Sequence, residues 1–84
     1  MRHFASAAFW AAHEQLPDRV RKQADAHFAL LKADPRHPSL HLKRVGKYWS
    51  VRIGPGWRAL GVDVEDGILW FWIGSHADYD RLLK

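Results

Sequence analysis

The stretch LKRVGKYWSVRIGPGWRALGVDVEDGILWFWIG, residues 42–74, decides the fold of this chain. Its apolar and polar residues alternate at a period of two, and short glycine-containing turns interrupt the alternation. Turns of two or three residues join strands that run side by side in opposite directions, so we expect an antiparallel meander. The predicted strands lie at residues 42–45, 48–54, 57–64 and 68–74.

Two helices are predicted before these strands. Ser6 is a good N-cap for a first helix that runs to about residue 16, where Pro17 ends it. A second helix is predicted from residue 17 or 18 through residue 33, because its apolar residues recur three and four positions apart. The tight connection makes the pair an antiparallel hairpin. Residues before Ser6 could add a short edge strand, and residues 76–83 are expected to form a last short helix.

The order of the elements predicts an α+β fold, with the helix hairpin packed on an antiparallel sheet of about four strands. All 84 residues are expected to form one domain. Cysteine is absent, which excludes disulfides and thiolate zinc sites and is typical of a cytoplasmic protein. No segment approaches the length of a membrane span. The net charge of +4 favours an anionic partner such as RNA, DNA or an acidic protein segment.

The alternation also sorts the strand residues onto two faces. An apolar face is expected to receive the helix hairpin; its members are Trp49, Val51, Ile53, Leu69, Phe71 and Ile73. The opposite face carries Tyr48, Arg52, Trp70 and Trp72. Such aromatic side chains are seldom left in water, so we expect the first helix, a partner protein or a nucleic acid to cover this second face.

Basic and aromatic side chains gather on the predicted strands, and RNA binding needs this set. Arginine neutralises phosphate, aromatic rings stack on bases, and imidazole transfers protons near neutral pH. The candidate nucleic-acid-binding residues are Lys43, Arg44, Tyr48, Trp70 and Trp72. The candidate catalytic residues are Arg52, Arg58, His76 and Tyr79.

Structural roles compete for several of these residues. Each arginine could instead pair with an acid such as Asp63 or Glu65. His76 could cap the last helix, Tyr79 could close the core, and the tryptophans could be core residues. The six histidines also raise the question of a metal, but no HExxH motif occurs, and a proline separates the closest pair that could share an ion. We therefore expect neither a metal nor another cofactor.

Four segments together resemble the RelE/ParE superfamily of bacterial toxins. They are the connector DPRHPSL at residues 34–40, YWSVRI at 48–53, RALG at 58–61 and WIGSHADYD at 72–80. With the upstream helix pair, the resemblance covers nearly the whole chain. It implies two helices packed on a curved sheet, and an antitoxin that neutralises the protein. RelE-like members cut mRNA in the ribosomal decoding site without a metal, whereas ParE-like members share the fold, lack the nuclease groups and poison DNA gyrase.

The resemblance also implies roles for particular residues. Arg52 and Arg58 correspond to arginines that nuclease members place around the scissile phosphate, and Lys43 matches a basic position on the preceding strand. His76 and Tyr79 fall where such members keep a residue for proton transfer. This chain departs from the pattern in two places. Some members use lysines or a glutamate as the base near residues 40–45, where this chain has His41, Lys43 and Arg44, and five residues follow Tyr79.

The leading hypothesis is a RelE-like toxin, a metal-independent endoribonuclease that cleaves mRNA on the ribosome, inhibits translation and is neutralised by a small acidic antitoxin. The first alternative is a ParE-like, non-enzymatic inhibitor of DNA gyrase. The second is an inactive member of the family that acts only by binding a protein partner.

Overall fold

A five-stranded sheet carries two helices on one face, as described for residues 2–83 by a computed structural model. The strands are β1 (Arg2–Ala5), β2 (Lys43–Val45), β3 (Tyr48–Ile53), β4 (Trp57–Val64) and β5 (Gly67–Ser75). The helices are α1 (Ala7–Glu14), α2 (Asp18–Ala33) and α3 (His76–Leu82), and a 3-10 turn, Pro38–Leu40, precedes β2. Within residues 2–83, no helix combines the length and the apolar character needed to cross a bilayer.

The sheet confirms the predicted α+β class but differs in its strand count. Strands β2 to β5 form the expected antiparallel meander, in the sheet order β1-β5-β4-β3-β2. The segment before Ser6 is β1, which pairs in parallel with β5 and makes the sheet mixed. A strand of four residues is too short for alternation to identify it, so this segment was predicted only as an optional edge strand.

The two helices form the predicted hairpin and contact each other through aromatic and polar side chains. The hydroxyl of Ser6 accepts a hydrogen bond from the backbone N–H of Phe9 at 3.1 Å, which caps α1 as expected. The rings of Phe9 and Phe28 meet edge to face with centroids 5.2 Å apart. His13 and Asp25 lie 3.1 Å apart and link the helices near the protein surface.

The hydrophobic core lies between this hairpin and one face of the sheet. Burial of each large apolar side chain contributes about 1.5–3 kcal/mol to stability, so this layer supplies most of the folding energy. The helices and the 3-10 turn contribute Phe9, Leu16, Val20, Ala24, Leu31 and Leu40, and the strands contribute Val51, Ile53, Ala59, Ile68, Trp70 and Ile73.

A β-bulge in β5 changes which residues face the core. Trp70 pairs with Gly61 and Trp72 pairs with Leu60, so Phe71 between them is an extra residue without a partner on β4. The prediction for this strand was therefore wrong in part. Trp70 is 1% exposed and lies in the core, whereas Leu69 and Phe71 belong to the opposite face. A strict period of two assumes an unbroken ladder, and one inserted residue reverses the alternation.

Gly61 makes room for the displaced tryptophan. A Cβ atom at this position would lie 2.9 Å from the Trp70 ring and 2.5 Å from the side chain of Ile68. Contacts that short force neighbouring atoms to move. The bulge, the glycine and the buried indole therefore form one packing unit.

Candidate nucleic-acid interface

The face of the sheet opposite the helix hairpin carries two arginines directly across from each other. Arg52 of β3 pairs with Arg58 of β4, so their side chains project side by side from the same face. The hydroxyl of the buried Ser50 lies 3.5 Å from Nη1 of Arg58. Like charges at directly opposed strand positions destabilise a sheet. The arrangement lowers stability and concentrates positive charge.

No carboxylate of the described residues neutralises this pair. None of the five ion pairs within residues 2–83 includes Arg52 or Arg58, and the anticipated partner Asp63 bonds Arg44 instead. Arg52 Nε donates to the carbonyl of Gly54 at 3.2 Å. Arg58 Nε is buried without a hydrogen-bond partner in the described part of the chain. Each guanidinium carries five N–H donors, so the Nη groups of both arginines keep hydrogen-bonding capacity for an anion.

Helix α3 brings two further candidates to the Arg58 side of the pair. The guanidinium carbon of Arg58 lies 5.3 Å from the centre of the Tyr79 ring, and the Tyr79 ring lies 5.7 Å from that of His76. Tyr79 is 7% exposed, whereas the His76 side chain is 49% exposed. Ser75 caps the helix, so His76 is not needed for that role.

Asp80 orients the imidazole of His76. Its Oδ2 lies 3.2 Å from His76 Nδ1, one helical turn away. A carboxylate in this position accepts a hydrogen bond from Nδ1–H, which leaves Nε2 as the nitrogen that can contact a ligand.

A residue outside the predicted catalytic set lies on the other side of the pair. Nε2 of His41 is 3.5 Å from Nη1 of Arg52. His41 ends the 3-10 turn with φ of 46° and ψ of 44°, in the left-handed region. This contact could not be predicted from the sequence, because no pattern signals that His41 adopts a left-handed conformation.

Trp72 provides a flat apolar surface beside the arginines. A Cβ atom on Gly74 would lie 2.5 Å from the Trp72 ring, which shows that the indole rests over that glycine. Gly74 is the β5 partner of Arg58, so the ring lies on the same face of the sheet as the arginine pair. An indole so placed can stack on a nucleobase.

Lys43 and Tyr48 extend the same face towards β2. Lys43 is exposed and pairs with Ser50, which places its side chain on the arginine side of the sheet. The Tyr48 ring packs against Phe71 at 5.7 Å, and the Lys47 ammonium lies 5.5 Å from its centre. Tyr48 thus has a packing role as well as a partly open ring.

Two candidates lie elsewhere. Arg44 belongs to the opposite face, where it covers the Trp49 ring at 4.5 Å and bonds Asp63 at 2.5 Å. Hydrogen bonds from Trp49 and Arg44 hold the pKa of Asp63 below its ordinary value. Trp70 is buried in the core, which removes it from any base-stacking surface.

A cavity of about 600 Å³ is also on the helix side and does not touch the arginine pair. Aromatic residues line it, including Trp10, which is 51% exposed. His3 at its rim accepts a hydrogen bond from Trp70 Nε1 at 3.1 Å. Burial, and then the nearby charge of Lys32, lower the pKa of His3 below its ordinary value. This cavity offers apolar packing, whereas the arginine face offers the chemistry that phosphate needs.

The arginine face lies within a recognised protein family. A family model described as a ParE-like toxin domain matches residues 18–81, which include every residue of the interface. The chain belongs to the ParE-like toxin family. It is thereby a member of the RelE/ParE superfamily, as the sequence resemblance indicated. No protein of curated function matches the chain significantly by sequence.

Solved toxin structures share the fold of this ParE-like domain at low sequence identity. The RelB-RelE antitoxin-toxin complex from Methanococcus jannaschii is 13% identical, covers 96% of this chain and 99% of its own, and has a TM-score of 0.74. The isolated E. coli RelE toxin is 11% identical, with 95% and 93% coverage and a TM-score of 0.63. The E. coli DinJ-YafQ complex is 16% identical, with 92% and 94% coverage and a TM-score of 0.62.

Proposed function

We propose that this chain is a RelE-like toxin, a metal-independent endoribonuclease that cleaves mRNA on the ribosome. The observation that carries the proposal is the opposed pair Arg52 and Arg58, which no carboxylate of residues 2–83 neutralises. A pair of this kind reduces stability unless an anion binds there. A guanidinium fork matches the oxygens of a phosphate, so a phosphodiester is an anion that this pair can hold.

The reaction needs stabilisation of charge and two proton transfers. The ribose 2′-hydroxyl attacks phosphorus, and Arg52 and Arg58 stabilise the negative charge that develops on the phosphorane. His76, oriented by Asp80, donates a proton to the departing 5′-oxygen. The ring of Tyr79 packs against the Arg58 guanidinium and also against the His76 ring, so it helps to position both groups.

Two other residues position the RNA strand. Trp72 stacks on a base next to the scissile phosphate, a contact worth about 1–3 kcal/mol. Lys43 attracts the backbone phosphates along β2.

An antitoxin is part of this proposal. One of the similar structures is an antitoxin-toxin complex, and the net charge of +4 favours an acidic partner. An acidic amphipathic segment that covers the arginine face would block RNA and relieve the repulsion between the two guanidinium groups. Co-expression with a small acidic protein encoded next to this one should then restore growth.

A reconstituted translation system tests the nuclease activity. Wild-type protein should create new 3′ ends in mRNA on programmed ribosomes, and Arg58→Gln and His76→Gln should each slow cleavage by about 10²–10³-fold. Arg19→Gln on the exposed start of α2 is the matched control, because it removes one positive charge from a helix that packs on the other face of the sheet. Intact mRNA with the wild-type protein would refute the proposal.

Inhibition of DNA gyrase is the second candidate, and the ParE-like family match favours it. A supercoiling assay with purified gyrase separates the two functions. The nuclease proposal expects unchanged supercoiling at toxin concentrations that cleave mRNA. Loss of supercoiling without mRNA cleavage would select the gyrase inhibitor.

A further inference from the structure

The arginine pair has a histidine on the side away from helix α3. His41 contacts Arg52 of β3, whereas Tyr79 and His76 lie on the side of Arg58 of β4. Because β3 and β4 are adjacent strands, the two guanidinium groups lie between His41 and the α3 residues. A phosphate held by both arginines would therefore lie between His41 and helix α3, whose first residue is His76. In-line displacement at phosphorus needs groups on two opposite sides, because the attacking and departing oxygens are on opposite sides.

The backbone at His41 is fixed in a conformation that favours another residue. Its φ of 46° lies in the left-handed region, where glycine and asparagine are more favourable than histidine. Pro38 and the fully buried Leu40 anchor the turn, and the His41 N–H donates to the Pro38 carbonyl at 3.3 Å. The imidazole itself is exposed. A less favourable residue held rigidly at the edge of a site suggests that its side chain has a role there.

The contact with Arg52 shows what His41 can offer a ligand. A guanidinium has donors and no acceptor, and Nε2 of His41 lies 3.5 Å from Arg52 Nη1, so in the tautomer with the proton on Nδ1 the Nε2 lone pair faces this edge of the site. An imidazole in that tautomer can accept a proton. When a phosphate draws the Arg52 guanidinium onto its oxygens, that lone pair becomes available to the ribose.

We propose that His41 is the general base of the cleavage reaction, an inference that rests on the proposed nuclease function. His41 Nε2 takes the proton of the 2′-hydroxyl, and the O2′–P bond forms. The P–O5′ bond breaks, and the 5′-oxygen leaves with a proton donated by His76. The products are a 2′,3′-cyclic phosphate and a 5′-hydroxyl, and water is not consumed in this step.

Replacement of His41 by glycine tests this role with little risk to the fold, because glycine adopts the left-handed conformation freely. His41→Gly should slow cleavage of ribosome-bound mRNA by about 10²–10⁴-fold. Added imidazole should restore much of the lost rate. His41→Asn, which also tolerates this conformation, serves as a second variant. His37→Asn is the control, since it changes a histidine of the same loop and keeps an acceptor for the Ser39 N–H.

Three further measurements separate a base from a binding residue. An mRNA with a 2′-deoxynucleotide at the mapped cleavage site cannot be cleaved there. The His41→Gly variant should bind this mRNA as tightly as the wild-type protein does. A general base predicts a fall in the wild-type cleavage rate at low pH, and this fall should be absent in both His41 variants. Arg52 is the charged group that contacts His41, so the wild-type profile should be compared with that of Arg52→Gln.

These experiments distinguish a failure of the His41 role from a failure of the nuclease function. If the wild-type protein does not cleave mRNA, the nuclease function fails. If the wild type cleaves and His41→Gly or His41→Asn cleaves equally fast, His41 is not the base while the nuclease function stands. Slow cleavage with weakened binding of the 2′-deoxy RNA and no rescue by imidazole would also overturn the role as base.

Discussion

The two faces of the sheet are built from the same strands but follow opposite rules. The face under the helix hairpin buries apolar side chains, including Trp70, which is 1% exposed. The other face opposes Arg52 and Arg58 and leaves Arg58 Nε without a partner in the described chain. One face therefore maximises stability, and the other gives up stability to keep positive charge available. Such local conflicts are typical of functional sites.

The two tryptophans of β5 give the largest test of this difference. Trp70→Ala should lower the free energy of unfolding by about 3–5 kcal/mol, because it empties a core position. Trp72→Ala on the partly exposed face should cost much less. Urea unfolding of both variants measures the difference. Equal losses would mean that the arginine face is packed as a second core.

Gly61 tests the packing unit around the bulge. Gly61→Ala places a Cβ atom 2.5 Å from Ile68 and 2.9 Å from Trp70, so it should destabilise the protein by about 1–3 kcal/mol. Gly56→Ala is the matched control, because nothing lies within 4 Å of its added Cβ. Thermal melts of both variants provide the measurement, and a stable Gly61→Ala would show that the bulge can repack.

The opposed arginines should show an unfavourable coupling. A double-mutant cycle with Arg52→Gln, Arg58→Gln and the combined variant isolates it from the packing that each side chain loses. We expect repulsion of about 0.2–1 kcal/mol, which weakens as salt is added. A favourable coupling at low salt would show that the pair stabilises the sheet even when no anion is bound.

His3 should make stability depend on pH on the helix side. Its pKa is lowered in the folded state, so the unfolded chain binds more protons just below pH 6.5, its ordinary value. The stability contributed by neutral His3 is complete above that pH and is lost as the pH falls. His3→Gln keeps an acceptor for Trp70 and removes the titration, so its stability should decline less between pH 6.5 and lower values. Identical slopes would contradict this effect.

Much of the fold could be predicted from the sequence, because its signals are local. Ser6, Pro17 and the turn glycines punctuate the chain, and the structure has the helices and the meander close to the expected bounds. The parallel pairing of β1 and the bulge at Phe71 could not be predicted, because both depend on partners distant in sequence.

The candidate site divides in the same way. The side-by-side position of Arg52 and Arg58 follows from a short hairpin turn, which fixes register. Trp70 could not be placed because the bulge reverses its direction. Arg44 could not be placed because its partners, Trp49 and Asp63, are recognisable only once the strands are paired. The contact of His41 required a left-handed residue that no pattern in the sequence signals.

We propose that the arginine pair lowers the stability of the fold and is kept because it serves RNA cleavage. The variant Arg52→Gln tests this proposal most directly. The melting temperature and the rate of cleavage of ribosome-bound mRNA should both be measured on the same sample of this variant. The wild-type protein and Arg19→Gln should be measured in the same way for comparison. We predict a melting temperature at or above that of wild type together with a cleavage rate about 10²–10³-fold lower. A variant that cleaves as fast as wild type, or one that loses activity only because it unfolds, would contradict the claim.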